Sequence, residues 1–203
     1  MQVLKNYVRT NILTSAKEEF LDKGYTKASM RGIAVNAGIT VGNVYRYYES
    51  KENLFEAIVE PTFMQISNLF QDIQFDDFNT YEKKDYLQFR NEFTKQFMKI
   101  VIENKDEMFI LIKCSEGTRY RSAQSHFSEI IEAKVNKYVV DVVNIKGSNY
   151  DKTMISRVIS KNIVDGLTEV IIYNGLKDLK RLEKDVLMLM DLYFNNILTR
   201  FDF

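Results

Sequence analysis

The chain has 203 residues, 45% hydrophobic and 28% charged, with 28 basic side chains against 28 acidic ones. Such a composition excludes a disordered polypeptide, and a single Pro with eight Gly leaves few breakers, which favours an all-α fold. One Cys excludes an internal disulfide, and one His excludes His-based zinc motifs.

In chain order, Ile12, Leu13, Ala16 and Phe20 step at helical spacing from about Asn6 to Lys23, and Gly24 is placed to end that helix. Arg9, near its start, suits a phosphate contact or a solvated turn equally well. From Ser29 to Asn53 the chain reads SMRGIAVNAGITVGNVYRYYESKEN. Ile33, Ala34 and Ala37 bury one face of a short helix, and Gly38 ends it without steric cost. The Thr40 hydroxyl caps a second helix from Val41 to Tyr48, and Ser50 caps a third whose first buried residues are Leu54 and Phe55. Helix, Gly-containing turn and helix make a helix-turn-helix layout. The second helix starts small and polar, with Thr40, Gly42 and Asn43, and carries Tyr45 and Arg46. That composition suits a helix whose N-terminal turn lies against bases and phosphates in a major groove. Residues 1–55 hold eight Lys and Arg against five Asp and Glu, a mildly basic head on a mildly acidic remainder.

With these residues stands a resemblance. Arg9, Ile12, Leu13, Ala16, Phe20 and Gly24, then Ser29, Arg31, Ile33, Ala34, Ala37, Gly38, Ile39, Gly42, Tyr45, Tyr47, Ser50, Lys51, Leu54 and Phe55, resemble the DNA-binding domain of TetR-family transcriptional regulators. The likeness covers about fifty N-terminal residues. It departs at Gly32, where the family usually has an acidic residue. It departs again at Val41 and Arg46, where Lys and His are frequent, and these two point to a different base preference.

The resemblance implies an all-α protein with two domains. Residues 1–52 form a three-helix DNA-binding domain, and residues 53–203 a larger helical domain for effector binding and dimerisation. DNA contacts are expected from Arg31, Thr40, Val41, Gly42, Asn43, Tyr45, Arg46, Tyr47 and Lys51. Among them, Asn43 suits adenine, Arg46 suits guanine or a phosphate, and Lys51 suits a phosphate. Tyr48 is expected in the core.

The helix from Lys51 continues through Phe63, Ile66 and Phe70, with Pro61 inside it. Pro61 either kinks the helix, in a way that passes ligand binding to the head, or separates two helices. Gln74–Thr80 reads as a loop. Tyr86, Phe89, Phe93, Phe97 and Ile100 give an amphipathic helix with an aromatic face. Met108–Ile112 is apolar without a break, and Glu116–Ser122 reads as a polar turn in which Arg119 and Arg121 either meet an acidic group at the rim of a cavity or, more commonly for such a turn, are solvated. Phe127, Ile131, Val135, Tyr138 and Val142 mark another helix, followed by a turn at Gly147–Asp151. Ile155, Val158, Ile159, Ile163, Leu167 and Ile171 mark the next, which ends at Asn174-Gly175. Leu179, Leu182, Val186, Leu189, Met190, Tyr193, Ile197 and Phe201 mark the last, and Leu187, Phe194 and Leu198 widen its face.

Phe89, Phe93, Phe97, Met98, Met108, Phe109 and Tyr138 are candidates for a cavity, although such spacing more often marks core. A cavity with these neutral walls favours a hydrophobic or amphipathic effector over a highly charged one. The resemblance implies a two-fold dimer built from the last two helices, with Ile163, Leu167, Ile171, Leu189, Tyr193 and Ile197 at its seam. Cys114 reads as a packed small hydrophobe, His126 as a surface or packing residue, and paired Asp76-Asp77 as solvated acids.

No catalytic constellation, metal set or cofactor motif stands out, so the chain does not read as an enzyme. MQVLKNYVRT lacks the apolar core of a signal peptide, and no apolar run nears the roughly 18 residues of a membrane helix. A cytoplasmic homodimer bound to a palindromic double-stranded operator, without membrane contact, is the expectation. As a repressor it would be released by a small effector. The alternative is a helical interaction module whose head docks on protein.

Overall fold

The computed structural model describes the backbone of residues 2–73, 83–146 and 151–194, and the side chains of 5–73, 86–137 and 151–193. The expected loop at Gln74–Thr80 and the acids Asp76-Asp77 lie outside the described residues, as do Ile197, Leu198 and Phe201. So do most of the turn at Gly147–Asp151 and the side chains of Tyr138, Val142 and Phe194. Every described element is helical, and the residues fall into two compact units.

The first unit comprises Met1–Met64 and Asn104–Ala123. Its helices are α1 (Gln2–Lys27), α2 (Met30–Asn36), α3 (Val41–Tyr45), the first part of α4 (Lys51–Gln71) and α6 (Lys105–Lys113). A short 3-10 helix follows at Arg119–Ser122. The regular helix of α1 stops at Gly24, which has φ 68° and ψ 166°, a conformation that a Cβ would penalise. Ile12, Ala16 and Phe20 of α1 are buried, as are Ile33, Val44, Leu54 and Phe55. Burying one such side chain contributes roughly 1.5–3 kcal/mol. Phe55 stands edge-on to both Phe20 and Tyr25, with ring centroids 5.0 and 5.2 Å apart.

α6 packs on α1, where Met108, Ile110 and Leu111 are buried and Lys17 pairs with Glu107. The Tyr25 N–H donates to the Cys114 carbonyl at 2.9 Å, so the chain after α6 is tied to the end of α1. Cys114 is buried, and burial pushes its thiol pKa up, as a packed small side chain requires. The segment expected as a solvated polar turn is ordered by the Thr118 hydroxyl, which caps the 3-10 helix by accepting from the Tyr120 N–H. Arg119 is not merely solvated, for it pairs with Glu56 at 3.0 Å and with Glu60, both on α4.

α4 runs unbroken through Pro61, so Pro61 does not separate two helices. Its tertiary nitrogen removes one internal hydrogen bond, yet the apolar face of Leu54, Phe55, Ile58, Val59, Ile66 and Phe70 stays buried on both sides of it.

The second unit comprises Gln65–Glu103 and Gln124–Phe203. It holds the end of α4 with α5 (Lys83–Glu103), α7 (Ala123–Lys146), α8 (Lys152–Asn174) and α9 (Leu179–Phe194). Phe70, Phe93 and Phe97 form a stack, with centroids 6.2 and 5.9 Å apart and both interplanar angles at 10°. Phe127 of α7 stands edge-on to Phe70. α9 packs on both α5 and α8. Asp151 caps the start of α8 by accepting from the Met154 N–H at 3.0 Å, and Gly175 ends it in the left-handed region at φ 58°. At Gly166 a Cβ would come within 3.2 Å of the Tyr193 hydroxyl, so the missing side chain lets α8 and α9 approach closely. Asp191 of α9 accepts from the Tyr86 hydroxyl at 2.6 Å and from Arg90 Nη1 at 2.8 Å, which fastens α9 to α5.

Candidate nucleic-acid interface

The turn between α2 and α3 is held by local and tertiary bonds together. Gly38 has φ 65°, and its neighbour Ile39 donates to the Ala34 carbonyl at 3.0 Å. The Asn11 amide of α1 donates to the Ala37 carbonyl at 2.7 Å and so pins the turn from behind. Thr40 begins α3 in an extended conformation, and its Oγ1 accepts from the Asn43 N–H at 3.2 Å. Val44 is the buried anchor of this five-residue helix, and Tyr48 is buried just beyond it, as expected. The Tyr48 hydroxyl accepts from Arg9 Nε at 3.3 Å, so Arg9 is neither a simple solvated charge nor a free one.

Around these anchors the opposite face of α3 is open. Thr40, Val41, Gly42, Tyr45 and Arg46 are exposed, Asn43 and Tyr47 are half-buried, and Arg31 on α2 is exposed. Tyr45 is large and apolar in part, yet 49% of it is accessible. Apart from Lys51, the expected contact residues are exposed or half-buried positions on α2, on α3 and beside the ends of α3.

Lys51, expected at a phosphate, is engaged within the domain. Its Nζ donates to the carbonyls of Tyr25 at 2.6 Å and Ala28 at 2.9 Å, and reaches that of Thr26 at 3.5 Å. An ammonium has three donors, so these carbonyls account for all of them. It also stands 4.3 Å from the centre of the Tyr25 ring, and burial pulls its pKa down. Lys51 is a clamp that closes the α1–α2 connection onto the start of α4. Sequence reasoning sees the cation at a helix start but not the carbonyls that the Gly24 break turns toward it. It also misses Asn11 and Glu19, whose partners lie 26 and 10 residues away.

The remaining candidates divide between the two units. Of the aromatic set, Phe93, Phe97 and Met98 are buried in the second unit and Phe89 is half-buried there. Met108 and Phe109 belong to α6 of the first unit, where Met108 is buried and Phe109 half-buried. Met98 borders an open groove of about 480 Å³ between the end of α5 and the start of α9, beside Lys95, Lys99 and Lys180.

At the expected dimer seam, Ile163, Leu167, Ile171 and Leu189 are buried within the second unit itself, and Tyr193 is half-buried. The large apolar side chains that these two helices expose are Met154, Val158 and Tyr173 on α8 and Met188 and Leu192 on α9. The buried stripe is the one that docks each helix on its neighbours within the second unit. His126 is exposed, with its ring centroid 6.1 Å from that of Phe127. Among the described residues, no helix is long and apolar enough to cross a membrane.

Two exposed short helices pinned by a buried Val44 and a caged turn define a helix-turn-helix domain of the kind that enters a DNA groove. Residues 12–58 match the family model described as bacterial regulatory proteins, tetR family. The match is confined to this N-terminal segment, and the described helices of the whole chain have the fold of solved regulators of this kind. The HTH-type transcriptional regulator UidR of Escherichia coli (strain K12) is 39% identical over 59 residues, 29% of this chain and 30% of that protein. The chain therefore matches under a third of the length of this relative. A transcriptional regulator of the TerR/AcrR family from Aquifex aeolicus VF5 has a similar fold, with a TM-score of 0.58 and 22% identity over 92% of this chain and 99% of that one. The regulator FadR from Bacillus subtilis, solved in complex with stearoyl-CoA, gives a TM-score of 0.54 and 15% identity over 90% of this chain and 97% of that one.

Proposed function

We propose that this chain is a DNA-binding transcriptional regulator that acts as a homodimer in the cytoplasm, a repressor released from a palindromic operator by a small amphipathic ligand. The observation that carries the reading is the open face of α3 and α2. Arg31, the Thr40–Asn43 turn, Tyr45 and Arg46 stand together on a rigid support, without a packing role for their outer atoms. The N–H groups of Val41 and Gly42, at the start of α3, are available to donate to a phosphate. Gly42 has nothing within 4 Å of a Cβ position, which leaves room for the backbone to approach DNA. Asn43 and Arg46 then read base edges, Arg46 pairing with guanine.

A second copy covers the apolar side chains that α8 and α9 leave exposed, with Met188 and Leu192 at its centre. Two-fold pairing repeats the α3 helices about 34–36 Å apart, or at a multiple of one DNA turn, and so demands a palindrome. The ligand occupies the aromatic region around Phe89, Phe93 and Phe97 of the second unit. Support for an acyl-type ligand comes from these apolar rings and from the stearoyl-CoA bound by FadR, a protein of similar fold. A five- to 150-fold change of operator affinity needs only about 1–3 kcal/mol of coupling.

The test is selection from a random double-stranded DNA pool with the purified chain, followed by binding of the winners against salt. Enrichment of a palindrome with a steep salt slope supports the reading, because counterion release makes phosphate-bound complexes salt-sensitive. A folded dimer that enriches nothing, with and without added acyl ligands, rejects it in favour of a head that docks on protein.

A further inference from the structure

We propose that Glu19 of α1 is the N-terminal capping carboxylate of α2, supplied from outside the helix. Residue 32 is glycine because any side chain there would take the carboxylate's place. In a capping box the N-cap hydroxyl accepts from the N–H three residues on, while an acidic side chain at that third position reaches back to the N-cap N–H. Ser29 performs the first half, its Oγ accepting from the Gly32 N–H at 3.0 Å. The third position, being Gly32, has no side chain for the second half. The Ser29 N–H donates instead to Glu19 Oε1 at 3.2 Å.

Glu19 is only 3% exposed, and its Oε2 accepts from Lys23 Nζ at 2.8 Å, so the carboxylate is fixed in place. A Cβ on Gly32 would lie 2.9 Å from the Glu19 carboxyl carbon and closer still to Oε1. Gly32 is absent from the glycines with positive φ, so its backbone does not call for glycine. Glycine is also the poorest helix former after proline, which leaves room for the carboxylate as the reason for it.

The pair acts on position as well as on stability. Its carboxylate ties the first turn of α2 to α1, and α2 packs directly on α3. Glu19 is therefore a positioning residue for the exposed face of α3, although it does not belong to that face. The inference rests on the packing of the N-terminal unit and not on the DNA reading.

The test uses the full chain with E19A, E19Q, G32A, E19A/G32A and E19A/G32D, read by thermal unfolding and by hydrogen exchange of the Ser29 amide. G32A should lower the melting temperature in the native background by roughly 2–4 °C, the shift expected of a moderate defect in a chain this size. In the E19A background the same change should raise it, since the clash is gone and alanine favours the helix. Ser29 protection should fall several-fold in E19A, persist in E19Q, and return in E19A/G32D, where the acid is restored within α2. On DNA recovered by selection, at temperatures well below unfolding, E19A should bind several-fold more weakly and E19A/G32D should recover. A G32A effect of the same sign in both backgrounds overturns the proposal, as does Ser29 protection that ignores E19A. Both of these readouts are taken without DNA, so a failure of DNA binding leaves them intact.

Discussion

The turn between α2 and α3 and the aromatic stack of the second unit solve different problems with different residues. The turn is small, polar and fixed by directed bonds, Thr40 on Asn43 and Asn11 on Ala37, and Lys51 holds the neighbouring α1–α2 connection in the same way. The stack of Phe70, Phe93 and Phe97 is fixed by shape and burial. Directed bonds leave an outer face free to meet another molecule, whereas burial uses the whole side chain. Changes at the turn should thus separate stability from recognition, and changes at the stack should not.

Phe93→Ala sets the largest expected effect. Removing a buried ring with three ring neighbours, Phe70, Phe89 and Phe97, costs about 3–5 kcal/mol, through lost burial and the cavity left behind. Urea unfolding should show the loss, and a cost under 1 kcal/mol would mean that the stack lines a space that collapses or fills. Lys51→Ala comes next. It removes a charged donor from part-buried carbonyls, at about 1.5–3 kcal/mol in unfolding free energy. Once the protein is folded, the salt slope of DNA binding should stay as it was. A slope reduced by one counterion would return Lys51 to the phosphates.

Arg46→Ala is the converse. Its unfolding midpoint should match the native chain, while discrimination at one operator position falls by about 1–3 kcal/mol in competition binding. Equal weakening on every sequence would make Arg46 a phosphate contact. The smallest effect concerns Asp191. Burial pushes its carboxyl pKa up, but the Tyr86 hydroxyl and the Arg90 guanidinium outweigh that and hold it below the usual carboxylate value. A depressed folded pKa stabilises the protein above the unfolded value near 4, and the gain is lost as pH falls through the folded pKa. Asp191→Asn should therefore flatten the acid side of the stability curve below about pH 4, with the Tyr86–Arg90 side of α5 showing the change by amide exchange.

Much of the first unit was legible because its signals are local. Ser29, Thr40, Gly24 and Gly38 act within four residues of where they stand, and Ile12, Phe20, Ile33 and Val44 follow the helical period. The long helices of the second unit were legible too, since Asp151 and Gly175 bracket α8 and the aromatic period marks α5. The Gly32 departure was visible as a missing acid, but its replacement by Glu19 was not, because the two residues are separated by thirteen positions. Likewise the period showed that α9 carries a broad apolar surface, without showing which stripe packs against the rest of the second unit.

By itself, then, the amino-acid sequence determined that the chain is helical, where its caps and breaks fall, and that residues 12–58 carry a TetR-type domain. Caps, left-handed glycines and the 3.6-residue period depend on neighbours along the chain, so they can be read in one dimension. The tertiary structure alone decided that Lys51 is a clamp, that α6 joins the first unit, that Glu19 caps α2 and that Ile163 and Leu167 are interior. Each of these depends on which donor meets which acceptor, or which face meets which helix, across distances in sequence that the local pattern does not encode.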